Sequence, residues 1–308
     1  LAVPGEELAG CYTGIDFLSR LAAGEKLSIP PITAVVGGGN TAIDCTRNLI
    51  RLGAGKVYLV YRRTRKEMPA NAVEVEAAEA EGVQLMFLNA PVRVIGNDQG
   101  RVTHLEYLRM ELGEPDASGR RRPVPVKGSE TLLPADMLIS AIGQAPDVAF
   151  AARADSPLSG LKTTRWSTID ANPATLQTNI PYLFTAGDAA TGPALVVDAI
   201  GGGRRAARSI HQFVMGQPVT AAADELGRAL ITGTIFDRVA GITPRPRAEM
   251  VELAVAERVR SFVEVDQVLT EAAAIGESDR CLYCCLTCYN PDGAAGGHAQ
   301  PVLVGKDA

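Results

Sequence analysis

Residues 32–36 (ITAVV) are an unbroken apolar and mostly β-branched run, the pattern of a strand covered on both faces. Three glycines follow. From Asn40 to Leu52, apolar side chains return at Ala42, Ile43, Leu49, Ile50 and Leu52. That spacing predicts one face of a helix, and the helix stops before Gly53 and Gly55. Residues 57–61 read as a second strand, 72–81 as an acidic amphipathic helix and 83–88 as a third strand. This β-α-β-α-β order is the grammar of an α/β fold: a parallel sheet with helices on its faces.

The pattern then changes. Residues 92–95 and 102–110 alternate like antiparallel strands on either side of a turn-rich stretch, 96–100, and 120–122 reads as a basic loop. Residues 137–142 predict another buried strand and 182–185 a later one, followed by a helix over 194–215. Pro218, Pro244 and Pro246 mark a linker over 216–245. Helices are expected over 251–260 and 265–274. Ahead of all this, 1–30 reads as a connector with a short helix at 14–23.

Composition narrows the function classes. The chain has 308 residues, with 30 Lys plus Arg against 35 Asp plus Glu, a net charge of −5. That balance argues against nucleic acid or an anionic membrane as the main partner. Hydrophobic content of 46% with 21% charged residues describes a globular chain and not a disordered one. No apolar run approaches the roughly 20 residues of a membrane span, and the first ten residues lack the form of a signal peptide. Four of the six cysteines fall within 281–288. A disulfide scaffold would spread them, so the pattern predicts a cytoplasmic protein with a local thiolate site.

The glycines carry chemistry. Gly37, Gly38, Gly39, Asn40, Thr41 and Ala42 fit G-x-G-x-x-A, placed between a strand and a helix as a dinucleotide fingerprint requires. Gly37 makes the tight turn, Gly39 lets a pyrophosphate approach the backbone, and Ala42 lets helix pack on strand. The helix N-terminus adds free N–H groups and partial positive charge. An ordinary glycine turn is the bland alternative. At the end of the second strand, where an NAD site usually carries Asp or Glu, this chain has Arg62 and Arg63, with Arg65 and Lys66 just after. Guanidinium groups suit a 2′-phosphate, which favours NADPH; a solvated basic loop is the alternative. Cys281, Cys284, Cys285 and Cys288 form two overlapping C-x-x-C pairs, suited to an iron–sulfur cluster, expected as 4Fe–4S, or to structural zinc. Redox or unligated thiols are the third option, and adjacent Cys284 and Cys285 leave the fourth cluster ligand open. Cys45 reads as core. His104, His211 and His298 are scattered, and no catalytic side chain is expected.

The order of motifs carries a resemblance. The segments 35–70, 139–146 and 183–207, the last containing Thr185-Ala186-Gly187-Asp188, together with the opening LAVPGEELAGCYTGIDFL, resemble the flavoproteins with two dinucleotide-binding domains, in the branch of the small, NADPH-oxidising subunit of glutamate synthase. The resemblance implies a Rossmann-like NADPH-binding domain inserted in a glutathione-reductase-like FAD-binding domain. It implies a crossover connector at 1–30, the NADPH domain at 31–148, the second half of the FAD domain at 149–216, a linker with helices at 217–280 and a cysteine-bearing tail at 281–308. Asp188 would bond the ribityl chain of FAD, the helix starting at Ala194 and Leu195 would point its N-terminus at the flavin, and Gly143 and Gln144 would lie where the two domains meet. Gly201, Gly202 and Gly203 predict either a close backbone approach or a helix break. The implied function is transfer of electrons from NADPH through FAD to iron–sulfur clusters and a partner subunit, the cofactors carrying the hydride chemistry. The alternatives are a dinucleotide-binding module without flavin chemistry and a flavoprotein reductase with a zinc tail. The family's first FAD fingerprint is expected before residue 37 and has no room there. The expectation is therefore a truncated chain, a gene fragment or an FAD half on another polypeptide.

Overall fold

The computed structural model describes residues 1–115, 119–151, 153, 156–221 and 246–280. Contacts divide the chain into two units, Leu1–Gly143 with Glu252–Gln267, and Gln144–Val251 with Val268–Ala308.

The first unit opens with β1 (Cys11–Thr13) and α1 (Gly14–Ala22), then β2 (Ile32–Val36), α2 (Asn40–Arg51), β3 (Lys56–Tyr61), α3 (Ala72–Ala80) and β4 (Gln84–Phe87). Next come β5 (Asn89–Gly96), β6 (Val102–Pro115), β7 (Arg121–Pro125), β8 (Thr131–Pro134) and β9 (Met137–Ser140). Five strands form a parallel sheet in the order β1-β9-β2-β3-β4. The long β6 pairs antiparallel with β5, β7 and β8 in a second sheet. Side-chain oxygens close two helix starts: Thr13 Oγ1 accepts from Asp16 N at 3.1 Å, and Asn71 Oδ1 accepts from Val73 N at 3.3 Å.

Why β2 is buried at every position from Thr33 to Val36 follows from its two covers. Val35, Leu59 and Ile139 face α1, α2 and α3, packing with Phe17, Ile43, Leu49 and Val75. Ala34, Val36, Val60 and Leu138 face the other way, against Val94, Leu105 and Leu133 of the antiparallel sheet. Helices were expected on both faces; one face is covered by helices and the other by a sheet. Each of the large side chains contributes about 1.5–3 kcal/mol on burial.

A buried carboxylate gathers a third group of residues. Glu81 ends α3, and its side chain is fully buried. Arg47 of α2 donates to it from Nε at 3.0 Å and from Nη2 at 2.7 Å. Arg51, one turn on, donates at 3.4 Å. Arg258 Nε lies 3.1 Å from the same carboxylate, without the alignment of a hydrogen bond. Glu74 and Glu252 pair with Arg47 and Arg258. The bonds to Glu81 push the Arg47 guanidinium above its ordinary pKa.

This cluster explains one departure from the expected elements. In place of a helix over 251–260, the chain makes only the short α6 (Val255–Arg258), with Leu253 N bonded to Val265 O and a bridge between Glu252 and Asp266. Fixing Arg258 on Glu81 and doubling the chain back overrides the local helical spacing. The expected helix over 265–274 likewise begins only at Glu271. Residues 121–122, expected in a loop, open β7 because β6 is long enough to pair with them. Residues 182–185 form no strand: among the described residues Phe184 bridges Gln177 and nothing else gives this run a ladder.

The second unit contains α4 (Asp188–Thr191), α5 (Val196–Val214) and α7 (Glu271–Ser278). Among the described residues no helix is long and apolar enough to cross a membrane.

Glu81→Gln keeps the shape and removes the charge that three largely buried guanidinium groups surround. It is expected to lower stability by about 3–5 kcal/mol, read as a shift of the urea midpoint with little change in slope. A loss below about 1 kcal/mol would mean that the cluster is not a stabilising clamp.

Candidate functional site

The glycine turn leaves the sheet between β9 and β3. Gly37 N donates to Val60 O at 3.1 Å, and Ala141 N donates to Val36 O at 2.8 Å. Gly37 has φ +153°. A Cβ there would stand 2.3 Å from the Ala141 carbonyl oxygen and 3.1 Å from the Ala42 Cβ. No side chain fits, and fully buried Ala42 is as large a residue as the helix can bring to this contact.

Gly38 is needed for a reason that the motif does not reveal. A Cβ on it would lie 2.3 Å from the Tyr61 ring. Tyr61 ends β3 and is itself fixed, its hydroxyl donating to Glu67 O at 2.8 Å. Two further bonds wrap the segment after β3 around the turn: Ala70 N donates to Gly38 O at 3.1 Å, and Asn71 N donates to Asn40 Oδ1 at 3.0 Å. Asn40 is thus a brace for the loop, a role that spacing alone could not signal.

Gly39 differs from both neighbours. A Cβ built on it would meet nothing within 4 Å. As the N-cap of α2 it offers no side chain to the first N–H groups, and the first turn carries no acid. Thr41 stands beside Gly14, where a Cβ would come within 3.0 Å of its methyl group. The result is an open helix start with a bare backbone, suited to an anionic ligand.

The arginines after β3 separate. Arg62 is exposed. Arg63 is only 5% exposed, and its Nε donates to the Arg121 carbonyl at 2.8 Å. Arg65 pairs with Glu79 and lies over the Phe87 ring.

In the second unit, Gly187 adopts φ +61° at the entry to α4. Asp188 is exposed and its Oδ1 accepts from Ala194 N at 3.2 Å, so its carboxylate holds the approach to α5. Leu195 is the N-cap of α5. The glycine run does not break this helix. Gly202 packs on the turn, where a Cβ would lie 3.2 Å from the Ala186 Cβ and 3.3 Å from Gly187 N, while Gly201 and Gly203 face open space. The close-approach alternative therefore holds at Gly202. Gly143, at φ +142°, ends the first unit and Gln144 begins the second.

Cys45 is fully buried and its thiol is pushed up to about 12, chiefly by burial. Burial, with Glu6 and Glu7 near, pushes Cys11 up to about 11. Neither is a thiolate at neutral pH. Among the described residues no group of three His, Cys, Asp or Glu side chains could hold a metal. Cys281, Cys284, Cys285 and Cys288 lie outside the described residues.

Residues 1–203 match the pyridine nucleotide-disulphide oxidoreductase family. The chain is 41% identical over 292 residues to the NADP(+)-dependent formate dehydrogenase subunit beta of Moorella thermoacetica, covering 92% of this chain and 40% of the relative. It is 37% identical over 242 residues to the glutamate synthase [NADPH] small chain of Azospirillum brasilense, covering 73% of this chain and 48% of the relative. The chain thus spans less than half the length of either relative. Among solved structures, Mycobacterium tuberculosis FprA in complex with NADPH superposes with a TM-score of 0.56 at 18% identity, over 70% of this chain and 61% of that one. The expected glutathione-reductase-like α/β class and the glutamate synthase small-chain resemblance are both borne out.

Gly37→Ala and Gly39→Ala separate the two kinds of glycine. Gly37→Ala is expected to cost about 1–3 kcal/mol or more through overpacking and backbone strain. Gly39→Ala is expected to stay within about 1 kcal/mol of the parent. Paired urea titrations read both, and equal losses would contradict the geometry of the turn.

Proposed function

Because the chain belongs to the pyridine nucleotide-disulphide oxidoreductase family, we propose that it takes up NADPH on the glycine turn of its first unit and passes the electrons to an FAD that its second unit helps to hold. The observation that carries this reading is the empty space over Gly39, beside a helix start that nothing in its own first turn neutralises. The residues present fit the group: a pyrophosphate needs backbone N–H donors, positive potential and no Cβ in the way.

Individual roles follow from placement. Gly37 and Ala42 set the turn against β9, and Gly38 and Asn40 shape the loop that closes over it. Arg62, exposed at the end of β3, meets the 2′-phosphate. Asp188 holds the connection into α5 and presents its exposed carboxylate to the ribityl hydroxyls, while the α5 start at Ala194 and Leu195 directs its N-terminal dipole at the flavin ring. Gly143 and Gln144 form the passage from one nucleotide unit to the next. When bound, the nicotinamide and flavin supply the hydride chemistry, and the protein's part is alignment. Beyond them, Cys281, Cys284, Cys285 and Cys288 are proposed to ligate an iron–sulfur cluster that hands single electrons to a partner subunit. The relatives named a formate dehydrogenase subunit and a glutamate synthase chain suggest that the final acceptor belongs to that partner.

Binding tests this without requiring turnover. Gly39→Ala is expected to weaken NADPH and NADH alike. Arg62→Ala is expected to weaken NADPH about tenfold or more, the scale of a lost charge-assisted bond, and to leave NADH unchanged. Equal losses for Arg62→Ala, in nucleotide fluorescence titrations, would sink the 2′-phosphate assignment.

A further inference from the structure

The sequence offers a pair of adjacent arginines for the 2′-phosphate, and the structure splits the pair. Arg63 turns inward, with its Nε bonded to the Arg121 carbonyl at 2.8 Å and its own carbonyl accepting from Leu88 N at 3.1 Å. The buried guanidinium fastens the first residue of β7 to the chain leaving β3. Arg65 is engaged by Glu79. Of the three arginines after β3, Arg62 alone stands exposed with no ion pair among the described residues.

A phosphate monoester carries nearly two negative charges, and one guanidinium neutralises half of that. The strand that Arg63 fastens brings more cations. Arg121 donates from Nε to Gly113 O at 3.1 Å and from Nη2 to Leu112 O, turning back on its own hairpin. Its neighbour Arg122 is the next residue of β7. Arg122 is exposed and has no partner among the described residues. Arg62 is one residue from the guanidinium that makes the tether, and Arg122 is one residue from the carbonyl that receives it.

Resting on the NADPH reading above, we propose that Arg122 supplies the second cation for the 2′-phosphate, and that Arg63 is the positioning residue that brings it there. Cofactor choice is then divided between the end of β3 and a strand about sixty residues later in the chain. Carrying one of the two cations on a tethered hairpin explains why a buried arginine is kept at 63. Without the Arg63 guanidinium, the Arg121 carbonyl would lose this donor and β7 its tie to the chain leaving β3.

The test uses the full chain and two probes, 2′,5′-ADP and 5′-AMP, by calorimetric titration. Arg122→Ala is expected to weaken 2′,5′-ADP about fivefold or more and to leave 5′-AMP within about twofold. Arg63→Met is expected to reproduce that selective loss, Arg63→Lys to recover part of it, and Arg63→Met with Arg122→Ala to lose no more than either alone. A purely structural Arg63 would weaken both probes together, which would overturn its positioning role. Unchanged 2′,5′-ADP binding in Arg122→Ala, with a loss in Arg62→Ala or in Lys66→Ala, would overturn the Arg122 assignment and leave the NADPH reading standing. A parent chain that binds the two probes equally would fail the NADPH reading itself, and this proposal with it.

Discussion

The contact on which the first unit depends is one where no side chain fits. Gly37 passes so close to the Ala141 carbonyl that a methyl group would overlap it. That approach lets β2 ladder with β9 on one side and β3 on the other while the chain turns away into α2. The sheet order β1-β9-β2-β3-β4 makes β2 the strand where direction reverses: the chain moves outward through β3 and β4, then returns to the other side as β9. Parallel sheets open a crevice at the carboxyl ends of their strands at such a reversal. The glycine that permits the packing and the glycine that leaves room for a ligand are therefore two residues apart for one geometric reason.

The second unit uses the same device on a helix. Three consecutive glycines weaken α5 by roughly 1 kcal/mol each relative to Ala, yet the helix runs unbroken from Val196 to Val214. Gly202 lies against the Ala186 and Gly187 backbone, and the buried stripe continues through Ala206 and Ser209 to the edge contact of Phe213 with Phe184. Packing by small residues sets the start of α5 beside the turn that carries Asp188. Gly201 and Gly203 meet no protein atom, so packing within the described residues does not account for them.

Much of the parallel sheet was legible because its strands are covered twice and its helices once. The run 32–36 and the helix face of Ala42, Ile43 and Leu49 leave few alternatives. What covers the second face was not legible: whether Ala34 and Val36 meet a helix or a sheet depends on residues 60 to 100 positions away. The same holds for 182–185, where a run of Tyr, Leu, Phe and Thr signals a strand but a ladder also needs a neighbour. In the site, the G-x-G-x-x-A spacing identified the turn and the open backbone at Gly39. It could not identify Gly38 as the seat of the Tyr61 ring or Asn40 as a brace, since both depend on where the chain goes after β3.

Arginine was the least legible residue. Arg47, Arg51, Arg63 and Arg258 look on paper like surface charge, and all four are largely withdrawn from solvent. A buried guanidinium needs several oxygen acceptors at once, and the decisive ones come from distant parts of the chain: Glu81 from the end of α3 and the Arg121 carbonyl from β7. Each such residue ties together segments that hydrophobic spacing leaves unrelated. Burial of Arg258 thus explains why residues 252–267 belong to the first unit although the segments before and after them belong to the second. A charge pattern in sequence records how many cations there are, while desolvation, decided by the fold, determines which remain available to a ligand and which become part of the frame.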